Sequence, residues 1–302
     1  MLIADLHCDS LSRVNARCGL LNEYNRSRGA CQLQVFAAFV PHRGRSAEER
    51  RRELMRYANV YFYETDRLSI ARITDSRELC ELTDLGGMGA ILSIEGGGGL
   101  FSESDELITL CRAGLRVMGP IWDTNELGSC CYDKEGAGLT DEGRRFVRRC
   151  SELGITIDLS HMSDRAFYDT FEASPMPHIA THSNFREICN HPRNLTLDMA
   201  REIVARGGVI GLNIYPDYLK EGGSATLTDL IRHIDYGLER LGAGALALGL
   251  DIDGTDGNYP VGLDESESIH DRVVNELLRH YPDSTVRGIA GENATDFFLG
   301  NL

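Results

Sequence analysis

Short apolar runs alternate along this chain with polar loops and segments of helical period, and that alternation narrows the possible folds more than any other feature. The runs are Leu2–His7, Leu33–Val40, Ala90–Ile94, Arg116–Ile121, Ile155–His161, His178–His182, Val209–Tyr215 and Leu246–Asp251. Apolar strands with helices between them are the pattern of βα units around a parallel sheet. Eight such units predict an α/β fold, a closed (β/α)8 TIM barrel rather than an open doubly wound sheet. Barrels of this kind commonly occupy 302 residues as one domain, so 1–302 is expected to be a single barrel domain. The clearest helix is expected from Thr140 to Leu153. Thr140 caps it, Phe146, Val147, Cys150 and Leu153 form its apolar stripe, and Gly154 ends it. Others are expected from about Ala47 to Ile73 and from Thr196 to Gly207-Gly208, with an extra C-terminal helix near Ser284 to Leu299 packing across the barrel.

Barrel enzymes place their chemistry at the C-terminal ends of the strands, and the polar residues of this chain gather there. His7 and Asp9 are spaced i, i+2 as the first run ends, so one face presents both. Glu95 closes the third run, His161 the fifth, His182 the sixth and Asp251 the eighth, with Asp253 two residues on. Each alone fits an ordinary role, such as a core histidine or a loop carboxylate. Their recurrence at the same end of five strands points instead to a metal centre. Neutral imidazoles with carboxylates suit zinc, with manganese, cobalt or iron as substitutes. The chain has only two lysines, Lys134 and Lys220, both in loop-like segments, so no strand-end lysine is available to bridge two ions. A carboxylate would have to bridge, and Glu95 is the natural candidate.

The formal net charge of −15 disfavours partners with phosphate backbones or anionic lipid, so neither nucleic-acid nor membrane binding is expected. Nine cysteines, an odd number without a C-x-x-C pair, read as reduced thiols, mostly buried. Met1-Leu2-Ile3-Ala4-Asp5-Leu6-His7 has neither the basic nor the long apolar region of a signal peptide, and no apolar run approaches a membrane span. A cytoplasmic location is expected.

Taken together, Asp5-Leu6-His7-Cys8-Asp9, Ser93-Ile94-Glu95-Gly96-Gly97, Asp158-Leu159-Ser160-His161, Thr181-His182-Ser183, His191-Pro192-Arg193-Asn194 and Gly249-Leu250-Asp251-Ile252-Asp253-Gly254 resemble the membrane dipeptidase (renal dipeptidase) family, peptidase family M19, amidohydrolase-like metallopeptidases. The motifs appear in the family's order across nearly the whole chain, and Gly291-Glu292-Asn293 fits its closing helix. The resemblance implies a dipeptidase with two Zn2+ ions. His7 and Asp9 would hold one, His161 and His182 the other, and Glu95 would bridge them. Asp251 would shuttle the proton, Arg193 would bind the substrate's C-terminal carboxylate, and Tyr215 would lie near the scissile carbonyl or that carboxylate. The substrate would be a dipeptide, including those with a C-terminal D-residue, and the oligomer a homodimer.

The sequence departs from the family at Trp122, where better-known members carry a histidine that touches substrate. Tryptophan donates one hydrogen bond but does not change protonation near neutral pH. Its presence implies either a shifted substrate range or simply a wall of the cavity. Two other readings stay open. One is a hydrolase of another amide, a lactone or an ester on the same metal site. The other is a catalytically silent barrel that binds metal and ligand, against which the intact Asp251 argues. A phosphate-cradling role for Glu95-Gly96-Gly97-Gly98-Gly99 is weak, because no G-x-x-x-x-G-K-[ST] pattern accompanies it.

Overall fold

The computed structural model describes residues 1–13, 32–264 and 268–302. The first run narrows to strand β1 (Ala4–Asp5), and the second gives β2 (Leu33–Phe39). β4 (Gly89–Glu95), β5 (Leu115–Gly119), β6 (Thr156–Ile157), β7 (Ile210–Leu212) and β8 (Leu246–Leu248) follow the third, fourth, fifth, seventh and eighth runs. All pair in parallel, in the order β6-β5-β4-β2-β1-β8-β7. The sixth run joins the two open ends by single parallel bridges, Asp158 to Ile179 and Ala180 to Ile210. Eight staves therefore close the ring.

The interior and exterior of that ring form separate apolar clusters. Ala4, Leu6, Leu33, Val35, Ile91, Val117, Ile179, Val209 and Ala247 fill the inside, and Ala294, Phe297 and Phe298 from the C-terminus plug its base. The outward faces, among them Phe36, Ala38, Leu92, Ile94, Met118, Ile157 and Leu248, pack against the surrounding helices. Strands covered on both sides must be apolar on both, and all seven residues of β4 are buried.

The helices obey their caps. Thr140 accepts from the Gly143 amide and starts the helix Asp141–Glu152, which buries Phe146, Val147 and Cys150. Gly154 leaves it with φ 69°. Thr196 likewise caps Leu197–Ala205. The long helix expected to reach Ile73 covers Ala47–Leu68 and stops at Ser69, in the left-handed conformation. The residues beyond form an additional strand, β3 (Ala71–Arg72). It lies along the start of β4, at Gly89 and Ala90, below the point where β5 begins to pair at Leu92. At the C-terminus Asp283–Arg287 runs through a wide turn, Gly288–Glu292, into Asn293–Asn301. Asn293 Nδ2 donates to the Ala243 and Leu246 carbonyls, which fixes this segment at the N-terminal end of β8.

The seven described cysteines form no disulfide; Cys18 and Cys31 lie outside the described residues. Among the described residues no helix is long and apolar enough to cross a membrane.

Candidate metal centre

Every strand-end residue singled out from the sequence sits at the same mouth of the barrel. His7 and Asp9 follow β1, Glu95 is the last residue of β4, His161 and His182 follow the fifth and sixth staves, and Asp251 follows β8. His161 and Asp251 are held at φ 69° and 55°, in the left-handed region that non-glycine residues rarely occupy. Strain of this kind persists where the surroundings over-determine the backbone, commonly at functional sites. The four glycines after Glu95 are a packing feature. A Cβ on Gly96 would meet the Val40 carbonyl oxygen at 2.9 Å, and one on Gly97 the Met118 sulfur at 2.9 Å.

Glu95 lies at the centre and divides its two oxygens. Oε2 faces His7 Nε2 at 3.6 Å, whereas Oε1 faces His161 Nε2 at 2.9 Å and His182 Nε2 at 3.4 Å. His161 Nε2 and His182 Nε2 are 3.0 Å apart. On the other side His7 Nε2 stands 3.6 Å from Asp9 Oδ1 and 3.9 Å from Asp251 Oδ1. His7 Nε2, Asp9 Oδ1, Glu95 Oε1 and Asp251 Oδ1 are all buried without a hydrogen-bond partner. Buried polar atoms are ordinarily satisfied, so four orphaned lone-pair donors turned toward one space are the mark of a cation site. Their types, imidazole and carboxylate, fit a divalent transition ion.

The electrostatics point the same way. Burial pushes Asp9 up to about 7, reinforced by the charge of Glu95. It also lifts Asp251 well above the usual carboxylate range, against the pull of His7 and with the help of Asp9 and Glu95. Burial resists the charged form of His7 and Glu95 too, but each holds the other ionised. The Glu95 and Asp9 carboxylates keep His7 well above its ordinary value, and His7 and His161 keep Glu95 well below. Burial and the Arg193 guanidinium take His161 down to about 4. Burial, His7 and Arg193 depress His182 well below the normal histidine range. His161 and His182 are thus held neutral, the form that ligates metal, whereas His7 holds a proton that a bound cation would displace.

Asp251 Oδ2 accepts from Asn213 Nδ2 at 3.2 Å, and Asn213 is itself fixed by Asn184. Asp253 is buried beside it. It accepts from the Asp9 amide at 2.9 Å and from Ser10 Oγ at 2.5 Å, tying the end of β8 to the start of the helix Ser10–Arg13. A cavity of about 810 Å³ opens above the cluster, lined by Asp9, Glu95, Trp122, His161, His182, Tyr215, Tyr218 and Asp251 among others. Trp122 packs against Phe39 at 4.9 Å and His161 at 5.9 Å between ring centroids, forming an aromatic wall. Arg193 is not among the lining residues. It lies buried next to the lining residues His182 and Tyr218, 5.8 Å from the Tyr218 ring centroid, with Nη1 donating to Ser183 Oγ and Nη2 to the His182 carbonyl, both at 2.8 Å. Its Nε has no partner. Asn213, Tyr218, Asp158 and Thr181 were not singled out from the sequence. Asp158 and Thr181 stand inside the quoted motifs without a role of their own, and the only signal at Asn213 and Tyr218 is their closeness to Tyr215.

Comparisons with known proteins agree with this geometry. The sequence model of the family described as membrane dipeptidase (Peptidase family M19) matches residues 4–297. A Klebsiella pneumoniae protein described as an uncharacterized protein in the pqqA 5' region is 38% identical over 175 residues, 54% of this chain and 65% of that protein. An Acinetobacter calcoaceticus protein described as an uncharacterized protein in the PQQ-III 3' region is 32% identical over 162 residues, 50% of this chain and 51% of that protein. The matches thus span less than two thirds of either relative. Among solved structures, a metallo peptidase from Rhodobacter sphaeroides, liganded with a phosphinate mimic of the dipeptide L-Ala-D-Ala, has a TM-score of 0.89 at 23% identity. It covers 100% of this chain and 99% of its own. A structure described as the dipeptidase AC, a family M19 metallo peptidase, gives 0.88 at 24% identity, covering 100% and 98%. At such identities the likeness speaks to the fold.

Proposed function

The chain belongs to the membrane dipeptidase family, Peptidase family M19, and from that premise we propose that residues 1–302 form one catalytic domain, a zinc-dependent dipeptidase. The observation that carries this reading is the division of Glu95, one oxygen toward His7 and the other toward His161 and His182. In this reading His7 and Asp9 would hold one Zn2+, His161 and His182 the other, and Glu95 would serve both. Two divalent ions so held would supply Lewis acidity at the scissile carbonyl and a lowered pKa for the attacking water.

The chain's own groups do the rest. Asp251 has one oxygen anchored by Asn213 and the other turned, without a partner, toward the ligand cluster. It takes the proton of the attacking water and delivers it to the leaving amine. The Arg193 guanidinium, buried immediately behind the lining residues His182 and Tyr218 with its Nε uncommitted, is assigned the substrate's C-terminal carboxylate. It meets that group once the substrate displaces its contact with Ser183, a pairing that guanidinium geometry favours. Tyr215 lines the cavity near the scissile bond. Trp122 excludes water beside His161 and takes no part in proton transfer, since indole does not titrate near neutrality. The cavity accepts dipeptides, including those with a C-terminal D-residue.

The test is amino-acid release from a panel of L,L, L,D and Gly-D dipeptides by zinc-loaded enzyme beside a chelated control. Release is expected only with metal, and Glu95→Ala and His161→Ala are expected to abolish it. Near-normal turnover in either variant would sink the assignment. The aromatic wall of Phe39 and Trp122 favours a second reading, hydrolysis of an N-acyl amino acid. A rate on such a substrate above that on every dipeptide would establish it.

A further inference from the structure

One hydroxyl group touches both sides of the centre. Thr181 Oγ1 lies 2.7 Å from His182 Nδ1 and 3.4 Å from His7 Nδ1, and it donates to Asp158 Oδ2 at 2.5 Å. The two imidazoles are stacked, with ring centroids 3.7 Å apart and planes at 25°, so both turn their Nδ1 edge to the same oxygen. A threonine hydroxyl has one proton and two lone pairs. The proton is committed to Asp158, and two acceptor positions remain for two ring nitrogens. Neither nitrogen can take a proton from Thr181, so each must donate one.

We infer that Thr181 is a positioning residue that fixes the tautomers of His7 and His182 together, with Nδ1 protonated and the Nε2 lone pairs presented to the metal centre. The inference rests on the reading that these two histidines ligate metal, and it adds a single shared anchor for ligands from opposite staves of the barrel. Ligating histidines generally owe their orientation to such a partner on the far nitrogen. Here one hydroxyl serves two.

The surroundings pin that hydroxyl. Asp158 Oδ1 accepts the Ser160 and Thr181 amides, each at 2.9 Å, so the carboxylate cannot rotate away. On the opposite side Gly211 and Gly249 flank the Thr181 carbonyl, and a Cβ on either would run into it. These glycines let β7 and β8 approach closely, and the backbone of Thr181 is clamped between neighbouring staves.

The arrangement predicts an unusual outcome for Asp158→Asn. The amide oxygen stays with the two backbone N–H groups, so the amide nitrogen faces Thr181 Oγ1 and donates to it. Thr181 must then give its own proton to a ring nitrogen, and one of the two imidazoles is forced to protonate at Nε2. Thr181→Val removes the anchor altogether, while Thr181→Ser keeps it. The experiment is zinc titration of metal-stripped protein, combined with ¹⁵N–¹H correlation of the histidine rings in the zinc-loaded protein. Wild type and T181S are expected to show Nδ1–H signals for His7 and His182 and zinc affinities within a few-fold of each other. T181V and D158N are expected to bind zinc about 10–100-fold more weakly, with D158N showing one ring in the other tautomer. Because D158N is isosteric, it reports even if T181V does not fold. Wild-type affinity and unchanged Nδ1–H signals in the variants would overturn the inference. Absence of zinc binding by the wild type would instead overturn the metal reading of the site.

Discussion

His178 is fully buried, and neither of its ring nitrogens has a hydrogen-bond partner. Burial first, and then the Arg206 charge, lower it to about 4. A histidine whose folded value lies below its unfolded value of 6.5 stabilises the fold fully above pH 6.5. That contribution is lost as pH falls toward 4, because the unfolded chain takes up the proton first. The shift corresponds to roughly 3 kcal/mol at most for one such group. His178→Leu breaks no hydrogen bond, so the variant should match wild type near pH 7 in urea unfolding and lose less stability between pH 6.5 and 4. An unchanged acid profile would refute this. His178 and His182 show how much of the site was legible. Both end or begin the same apolar run, and only the chemistry of the other strand ends separated the ligand candidate from the buried ring. Thr181 and Asp158 could not be read in this way. Their roles depend on which lone pairs meet across the barrel, and spacing along one strand does not encode that.

At the level of elements, runs with apolar residues on both faces were legible, and irregular pairing was not. The sixth run appears only as bridges at Ile179 and Ala180, because the Thr181 amide is spent on the Asp158 carboxylate instead of a neighbouring strand. β3 went unread because its two residues follow a helix that ends on Ser69, without the glycine that usually marks such a stop. The closing C-terminal segment was legible, and its fit is testable. Gly291 packs so closely on the residues leading into β1 that a Cβ would lie 2.6 Å from both Leu2 Cδ2 and the Leu2 carbonyl oxygen, while a Cβ on Gly300 would meet nothing within 4 Å. Gly291→Ala should therefore cost about 1–3 kcal/mol in denaturant unfolding, the usual range for overpacking. Gly300→Ala should cost nothing, since alanine is the better helix former by about 0.5–1 kcal/mol. Equal effects of the two substitutions would show that the segment does not seal the barrel as described.

For the whole molecule, the barrel combines an apolar lower half with a charged mouth. Below, strand side chains pack on the C-terminal plug. Above, Asp9, Glu95, Asp251 and Asp253 converge in a chain already at −15, and Asp9 and Asp251 are pushed upward by burial and by the neighbouring carboxylates Glu95 and Asp253. Such an arrangement is costly unless positive charge compensates it, which is why function and stability should be coupled through the metal. An ion that binds only the folded state and is present at 100 times its dissociation constant adds about 2.7 kcal/mol. Chelation should therefore lower the melting temperature by several degrees, and added zinc should restore it in a concentration-dependent way. Glu95→Ala removes the shared ligand, so its melting temperature should respond much less to the same treatment. If wild type melted identically with metal bound and with metal verifiably removed, the orphaned donors at the mouth would have to be satisfied by something other than a cation, and the two-ion reading would fall with them.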